Sequence, residues 1–201
     1  MTDARALNWR FVVPGEPSGL LLLPVGDESM DGSVHASGDV VDNLEGACFP
    51  AVVATDLPAW TARGGRRESA TLLTRLCDSV APGGWVCVGF ANSRYPAAWS
   101  RASMGLGAVR RVLARSGFRD ARVYACLPGH RHPGLLVPLD RRAELDFVLR
   151  SLFFTYTPPD ASWPRLRRRV LGLLHRGFVA SPHWLRRAMV PGYLVVSERA
   201  T

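Results

Sequence analysis

Continuous apolar runs bounded by turn residues alternate along the chain with segments whose apolar positions recur every three or four residues. Leu20–Val25, Phe49–Thr55, Trp85–Phe90 and Ala121–Leu127 are runs of the first kind. Their lack of polar alternation predicts strands buried on both faces, as in a parallel sheet. Glu68–Val80 places Leu72, Leu73, Leu76 and Val80 at helical spacing, and Met104–Ser116 does the same with Leu106, Val109, Val112 and Leu113. Pro82-Gly83-Gly84 is expected to stop the first helix and Gly117 to cap the second. Leu145–Phe154 and Leu166–Phe178 read as further amphipathic helices, separated by Pro158, Pro159 and Pro164. Tyr193–Ser197, after Pro191-Gly192, reads as a last strand. Ahead of Leu20, Trp9, Phe11, Val12 and Val13 form a short extended or helical lead-in, while residues 26–46 are rich in Gly, Asp and Ser and only weakly periodic. Strands separated by helices predict an α/β sheet with parallel members.

Composition narrows this picture. At 201 residues, 47% hydrophobic and 21% charged, the chain has the make-up of one globular domain, 1–201. No apolar run approaches the ~20 residues of a membrane span. The first residues, Met1-Thr2-Asp3-Ala4-Arg5, open no apolar signal core, so the expected location is the cytoplasm. All 25 basic residues are Arg, with no Lys, Ile or Gln, which reads as the codon bias of a high-GC bacterium before it reads as chemistry. The segment Arg141–Thr201 carries +7 of the +8 net charge. Such a tail can face solvent, anionic lipid, nucleic acid or an acidic protein. No nucleic-acid motif accompanies it, so that partner is not expected. The helix bearing Arg165, Arg167, Arg168 and Arg169 is expected to dock with its arginines outward rather than to bind a membrane surface. Cys48, Cys77, Cys87 and Cys126 form no CxxC pair, so no disulfide framework is expected, and Cys87 reads as a small buried hydrophobe. His130 and His132 lack the matched second pair that a zinc site needs, and no metal is expected.

Three stretches in order carry a resemblance. Asn8-Trp9-Arg10-Phe11-Val12-Val13-Pro14 leads into Leu20–Leu23. Gly38-Asp39 precedes Phe49–Leu57. The helix 68–80 runs through Val80-Ala81-Pro82-Gly83-Gly84 into strand 85–90, then Asn92 and Arg94. Together they resemble the class I S-adenosylmethionine-dependent methyltransferases, as do Arg115–Phe118 before a strand and Leu136–Asp140 after it, which look like a bacterial subgroup with a helical insertion before the last strand. The resemblance implies a reduced Rossmann-like methyltransferase sheet, with helices on both faces and an added C-terminal helical segment, an insertion or lid over 141–190, before an antiparallel last strand.

The departures bear on chemistry. The family ends its first strand in an acid and a Gly-x-Gly-x-Gly loop, whose glycines let backbone approach the cofactor. Here Leu22 stands where the acid is expected, Pro24 and Glu28 replace two glycines, and Gly26 remains. Twelve residues, Asp27 to Gly38, separate this loop from the Gly-Asp turn, whereas a βαβ unit needs ~30. The family's second strand is therefore not expected to fit. Glu45, 19 residues beyond Gly26, is the candidate for the ribose-binding acid, and Gly26 and Glu45 are the cofactor-binding candidates.

Ligands in open α/β sheets bind beyond the carboxyl ends of the strands, which selects Asp56 and Trp60 after one run and Asn92, Arg94 and Tyr95 after the next. Asp56, beside Leu57, Pro58 and Trp60, is expected either to have a raised pKa and act as a general base or to cap a helix. Arg94 would grip an anionic group or pair with Asp56 or Glu28. Asn92 would bond substrate or satisfy a turn, and His130 would shuttle protons or lie in a solvated loop. Phe154 and Tyr156 would form an aromatic lid over an apolar substrate or pack between helices. The expected catalytic set is thus Asp56, Arg94 and His130, with Trp60, Asn92, Tyr95, Phe154 and Tyr156 on the substrate. The implied activity is that of a methyltransferase-fold enzyme of bacterial specialised-metabolite or surface-glycan biosynthesis. It would have lost S-adenosylmethionine and would promote a cofactor-free cyclisation or isomerisation of a small apolar substrate. Two alternatives stand beside it. One is an active S-adenosylmethionine-dependent methyltransferase with an unusual glycine loop. The other is a non-catalytic partner of a companion enzyme, for which Trp163 and Trp184 are candidate contact residues. Expected partners are the small molecule and a companion protein or second copy.

Overall fold

The computed structural model describes residues 4–15, 17–23, 34–35, 44, 46–61, 65–95, 104–152, 169, 172–173, 176–177 and 180–201. Seven strands form one sheet: β1 (Leu21–Leu23), β2 (Val34–His35), β3 (Phe49–Ala54), β4 (Val80–Ala91), β5 (Phe118–Leu127), β6 (Leu135–Pro138) and β7 (Gly192–Arg199). Helices α1 (Arg66–Asp78), α2 (Leu106–Arg115), α3 (Arg142–Leu152) and α4 (His183–Ala188) intervene. The lead-in is helical, a 3-10 segment at Ala4–Phe11, and a second 3-10 turn spans Leu57–Trp60.

The strand order is β2-β1-β3-β4-β7-β5-β6. β2, β1, β3 and β4 run parallel, β7 enters antiparallel between β4 and β5, and β6 folds back on β5 as an edge hairpin. The fold is a reduced Rossmann-like methyltransferase α/β sheet with a reversed last strand. Burial explains the uniform apolar runs. Leu21, Leu22 and Leu23 are all fully buried, and alternate residues enter opposite cores. On one face Leu21, Leu23, Val52, Val86 and Val88 meet Leu72, Leu73 and Leu76 of α1, Val109 and Leu113 of α2, and Leu145 and Leu149 of α3. On the other, Leu22, Val53, Cys87 and Val196 meet Trp9 of the N-terminal 3-10 segment, whose ring lies 6.5 Å from that of Trp85. Cys77, Cys87 and Cys126 are buried and unbridged, and burial pushes the Cys77 thiol up to about 12.

Three local expectations change. A second strand does exist, since Val34 and His35 pair in parallel with Leu21 and Leu22. Ten residues, 24–33, separate the two strands in sequence. Pro82-Gly83-Gly84 does not end an element: α1 closes at Ser79, and Ala81–Gly84 bulge from β4 between the pairs Phe49–Val80 and Ala51–Trp85. Leu135–Pro138, not assigned as a strand from its sequence, is β6. At the far end of the sheet the Arg199 guanidinium donates to the carbonyls of Cys77 and Asp78 at 3.4 and 3.2 Å and also to that of Val80, tying β7 to the end of α1. Among the described residues no helix is long and apolar enough to cross a membrane.

Candidate functional site

The carboxyl ends of β3, β4 and β5 lie on one edge of the sheet, and the loops leaving them converge there. Beyond β3 the chain turns sharply across β4. A Cβ on Gly89 would stand 2.0 Å from the Thr55 carbonyl oxygen, so only glycine admits this crossing. The turn buries Asp56 to 1% exposure at the head of the 3-10 turn. Asp56 occupies the N-cap position, yet its side chain makes no cap hydrogen bond. It reaches instead to the loop after β5.

That loop, residues 128–134, passes over the end of β7. His130 Nε2 lies 3.0 Å from Asp56 Oδ1, and Arg131 Nε lies 2.6 Å from Oδ2. The imidazole is seated on Gly192, where a Cβ would come within 2.9 Å of His130 Nδ1 and 3.0 Å of its Cβ. Further bonds hold the loop: Asn8 Nδ2 donates to the Pro133 carbonyl at 2.6 Å and the Gly134 N–H to that of Leu127 at 2.8 Å. Asp56, His130 and Gly192 thus come from three separate parts of the chain. Burial alone would raise the Asp56 pKa. The His130 hydrogen bond, the His130 charge and the Arg131 guanidinium outweigh it, and the carboxyl titrates below its ordinary 3.8. The expectation of a raised pKa is therefore corrected. Asp56 is an ionised anchor.

Asn92 takes the turn role. Its Nδ2 donates to the carbonyls of Val190 at 2.8 Å and of Arg187 and Ala188 at 3.3 Å, while its Oδ1 accepts the Arg94 N–H at 3.1 Å. It thereby caps the end of α4 and fixes the entry to β7. Arg94 is exposed, and the place beside Asp56 expected for it belongs to Arg131. Tyr95 lines an apolar cleft of about 350 Å³ with Leu127, Pro128, Leu135, Leu149, Met189 and Pro191. Pro128 and Pro191 adjoin the loop and strand end that hold His130. Trp60 packs half-buried against the core. Gly26, Glu45, Phe154 and Tyr156 lie outside the described residues. Gly89 and Gly192 were not singled out by sequence reasoning. A glycine inside the apolar run Trp85–Phe90 was the available signal for the first.

S-adenosylmethionine, the cofactor that the resemblance implies, finds little among these groups. At the end of β1 Leu22 and Leu23 are buried in opposite apolar clusters and present no polar side chain. Asp56 is already engaged by His130 and Arg131. Gly26 and Glu45, the residues that the resemblance would set on the cofactor, lie outside the described residues, and no step is derived through it.

No protein-family model and no curated protein matches the chain. Solved structures do. A SAM-dependent methyltransferase from Archaeoglobus fulgidus is 9% identical over 90% of this chain and 75% of its own, with a TM-score of 0.47. An O-methyltransferase family protein from Burkholderia thailandensis is 10% identical over 84% of this chain, TM-score 0.38, and the [4+2]-cyclase SpnF is 14% identical over 85%, TM-score 0.39. This chain spans only 36% and 57% of those two proteins. The strand order and reversed β7 place the chain in the class I methyltransferase-like fold, the fold that its sequence resembles.

Proposed function

We propose that this protein is a methyltransferase-fold enzyme that promotes a cofactor-free isomerisation or cyclisation of a small, largely apolar molecule. The observation that carries the reading is the Asp56–His130 pair at the ligand-binding edge of the sheet, whose loop and strand partner supply Pro128 and Pro191 to the wall of an apolar cleft. In this reading Asp56 holds the His130 Nε2 and stabilises positive charge on the ring, so that the imidazole can take up and return a proton. The apolar cleft would hold the reacting conformer, with the Tyr95 side chain on its wall. The decayed glycine loop supports the same reading, since the sequence has Pro24 and Glu28 where the family that it resembles has glycines. A second reading, S-adenosylmethionine-dependent methylation, is favoured by β2, which supplies the parallel neighbour that the family's β1 normally has.

One experiment separates them. The compound that accumulates in a host lacking the gene is incubated with purified protein, with and without S-adenosylmethionine. Conversion without cofactor, lost in His130→Gln, supports the proposal. Conversion only with S-adenosylmethionine, or no conversion at all, overturns it.

A further inference from the structure

On the other side of the Asn92–Tyr95 turn lies a second cleft of about 370 Å³, lined by Asn92, Ser93, Arg94, Gly105, Arg110, Trp184, Arg187 and Tyr193 among others. It is separate in character from the apolar cleft. Arg187 and Tyr193 line one, and Met189 and Pro191 of the same stretch line the other.

Three arginines line this cleft, from the turn after β4 (Arg94), the first turns of α2 (Arg110) and the end of α4 (Arg187). No carboxylate is among the described residues that line it; Arg110 and Arg187 also line an adjoining cavity with Asp120 and Asp140, but the ion pairs formed by described residues do not include these three arginines. Tyr193 lines the same cleft at 5% exposure, and its hydroxyl donates to the Arg187 carbonyl at 3.1 Å. The α2 amino terminus, capped by Gly105 without a side-chain acceptor, opens onto the same space. Three like charges crowded into a concavity repel one another unless an anion shares them.

We infer that the cleft formed by Arg94, Arg110 and Arg187 is a binding site for a phosphate group, carried on a small phosphate ester. A tetrahedral oxyanion has enough acceptor oxygens for several guanidinium donors at once, and the volume leaves room for the organic part of the ester beneath the exposed Trp184. The site stands whether or not the Asp56–His130 pair is catalytic.

The test is calorimetric titration of the intact protein with inorganic phosphate, pyrophosphate and glycerol phosphate at low ionic strength. Saturable one-to-one binding is expected, weakened about tenfold or more by Arg94→Ala and by Arg110→Ala, the loss of one charge-assisted contact. Arg122→Ala, at an exposed pair with Glu198, is expected to leave binding unchanged. Thermal melts of the variants in buffer alone check that they stay folded. Sedimentation with phosphatidylglycerol vesicles separates the sources: no sedimentation supports a soluble ester, whereas vesicle binding lost in Arg110→Ala assigns the site to a lipid headgroup and overturns the ester. No saturable binding of any phosphate probe, or equal weakening in Arg122→Ala, overturns the site itself.

Discussion

Replacing Asp56 with Asn tests whether the carboxylate organises the ligand edge of the sheet. The substitution keeps shape and leaves an amide where Arg131 and His130 need an acceptor with charge. A hydrogen bond to a charged group contributes about 1.5–3 kcal/mol, and the bond to His130 is made by side chains only 12% and 2% exposed, so it retains that range. Arg131 is 58% exposed, and solvent screening reduces its share to less than about 1 kcal/mol. Asp56→Asn should therefore cost about 2–4 kcal/mol in urea unfolding at pH 7. The pH dependence follows from the lowered carboxyl pKa. A group titrating lower in the folded state stabilises it fully above its unfolded value and loses that contribution as pH falls through the folded one. The deficit of the variant should hold steady from neutrality down to about pH 5 and shrink below 3.8, as the wild-type carboxyl takes up its proton and comes to resemble the amide. A deficit under about 0.5 kcal/mol at pH 7, or one that does not shrink in acid, would refute the assignment of Asp56 as an ionised anchor.

Gly192→Ala places a methyl 2.9 Å from His130 Nδ1 and should expel the ring. The expected cost is about 1–3 kcal/mol, with faster amide exchange across residues 128–134 than in wild type. Asn92→Ala removes the donor to the 187, 188 and 190 carbonyls and should cost about 1–3 kcal/mol in urea unfolding. Because the amide is spent on backbone, turnover of the accumulated compound should show a lower population of active protein rather than a raised KM. Of the four thiols only Cys48 is exposed, so a thiol reagent should label one cysteine in the native protein and four after unfolding.

The strands were legible where burial on both faces left no polar position. Phe49–Ala54 and the core of Val80–Ala91 carry their assignment in residue type alone. The assignment missed where an element is too short to show a period. Val34–His35 has two residues, and Leu135–Pro138 ends in a proline that a central strand excludes but the edge strand β6 tolerates. A carboxylate at a strand end was visible as a candidate. Its ionisation state was not, because that depends on which cation reaches it.

The choice of cation turns on topology. Arg94 stands two residues beyond Asn92 and looks closer in the chain to any group at the end of β3, yet its own N–H is drawn back to the Asn92 side chain in a tight turn. Arg131 is 75 residues from Asp56 and reaches it because β7 is inserted between β4 and β5 and begins at a glycine there, over which the β5 loop can lie. A side chain at position 192 would lift that loop away from the sheet, and one at position 89 would block the crossing that brings Asp56 to meet it. The pair at the ligand edge is thus specified by two absent side chains as much as by the two that touch. Periodicity and residue type register what is present at a position. A missing Cβ acquires meaning only when the strand order shows which backbone must pass across it.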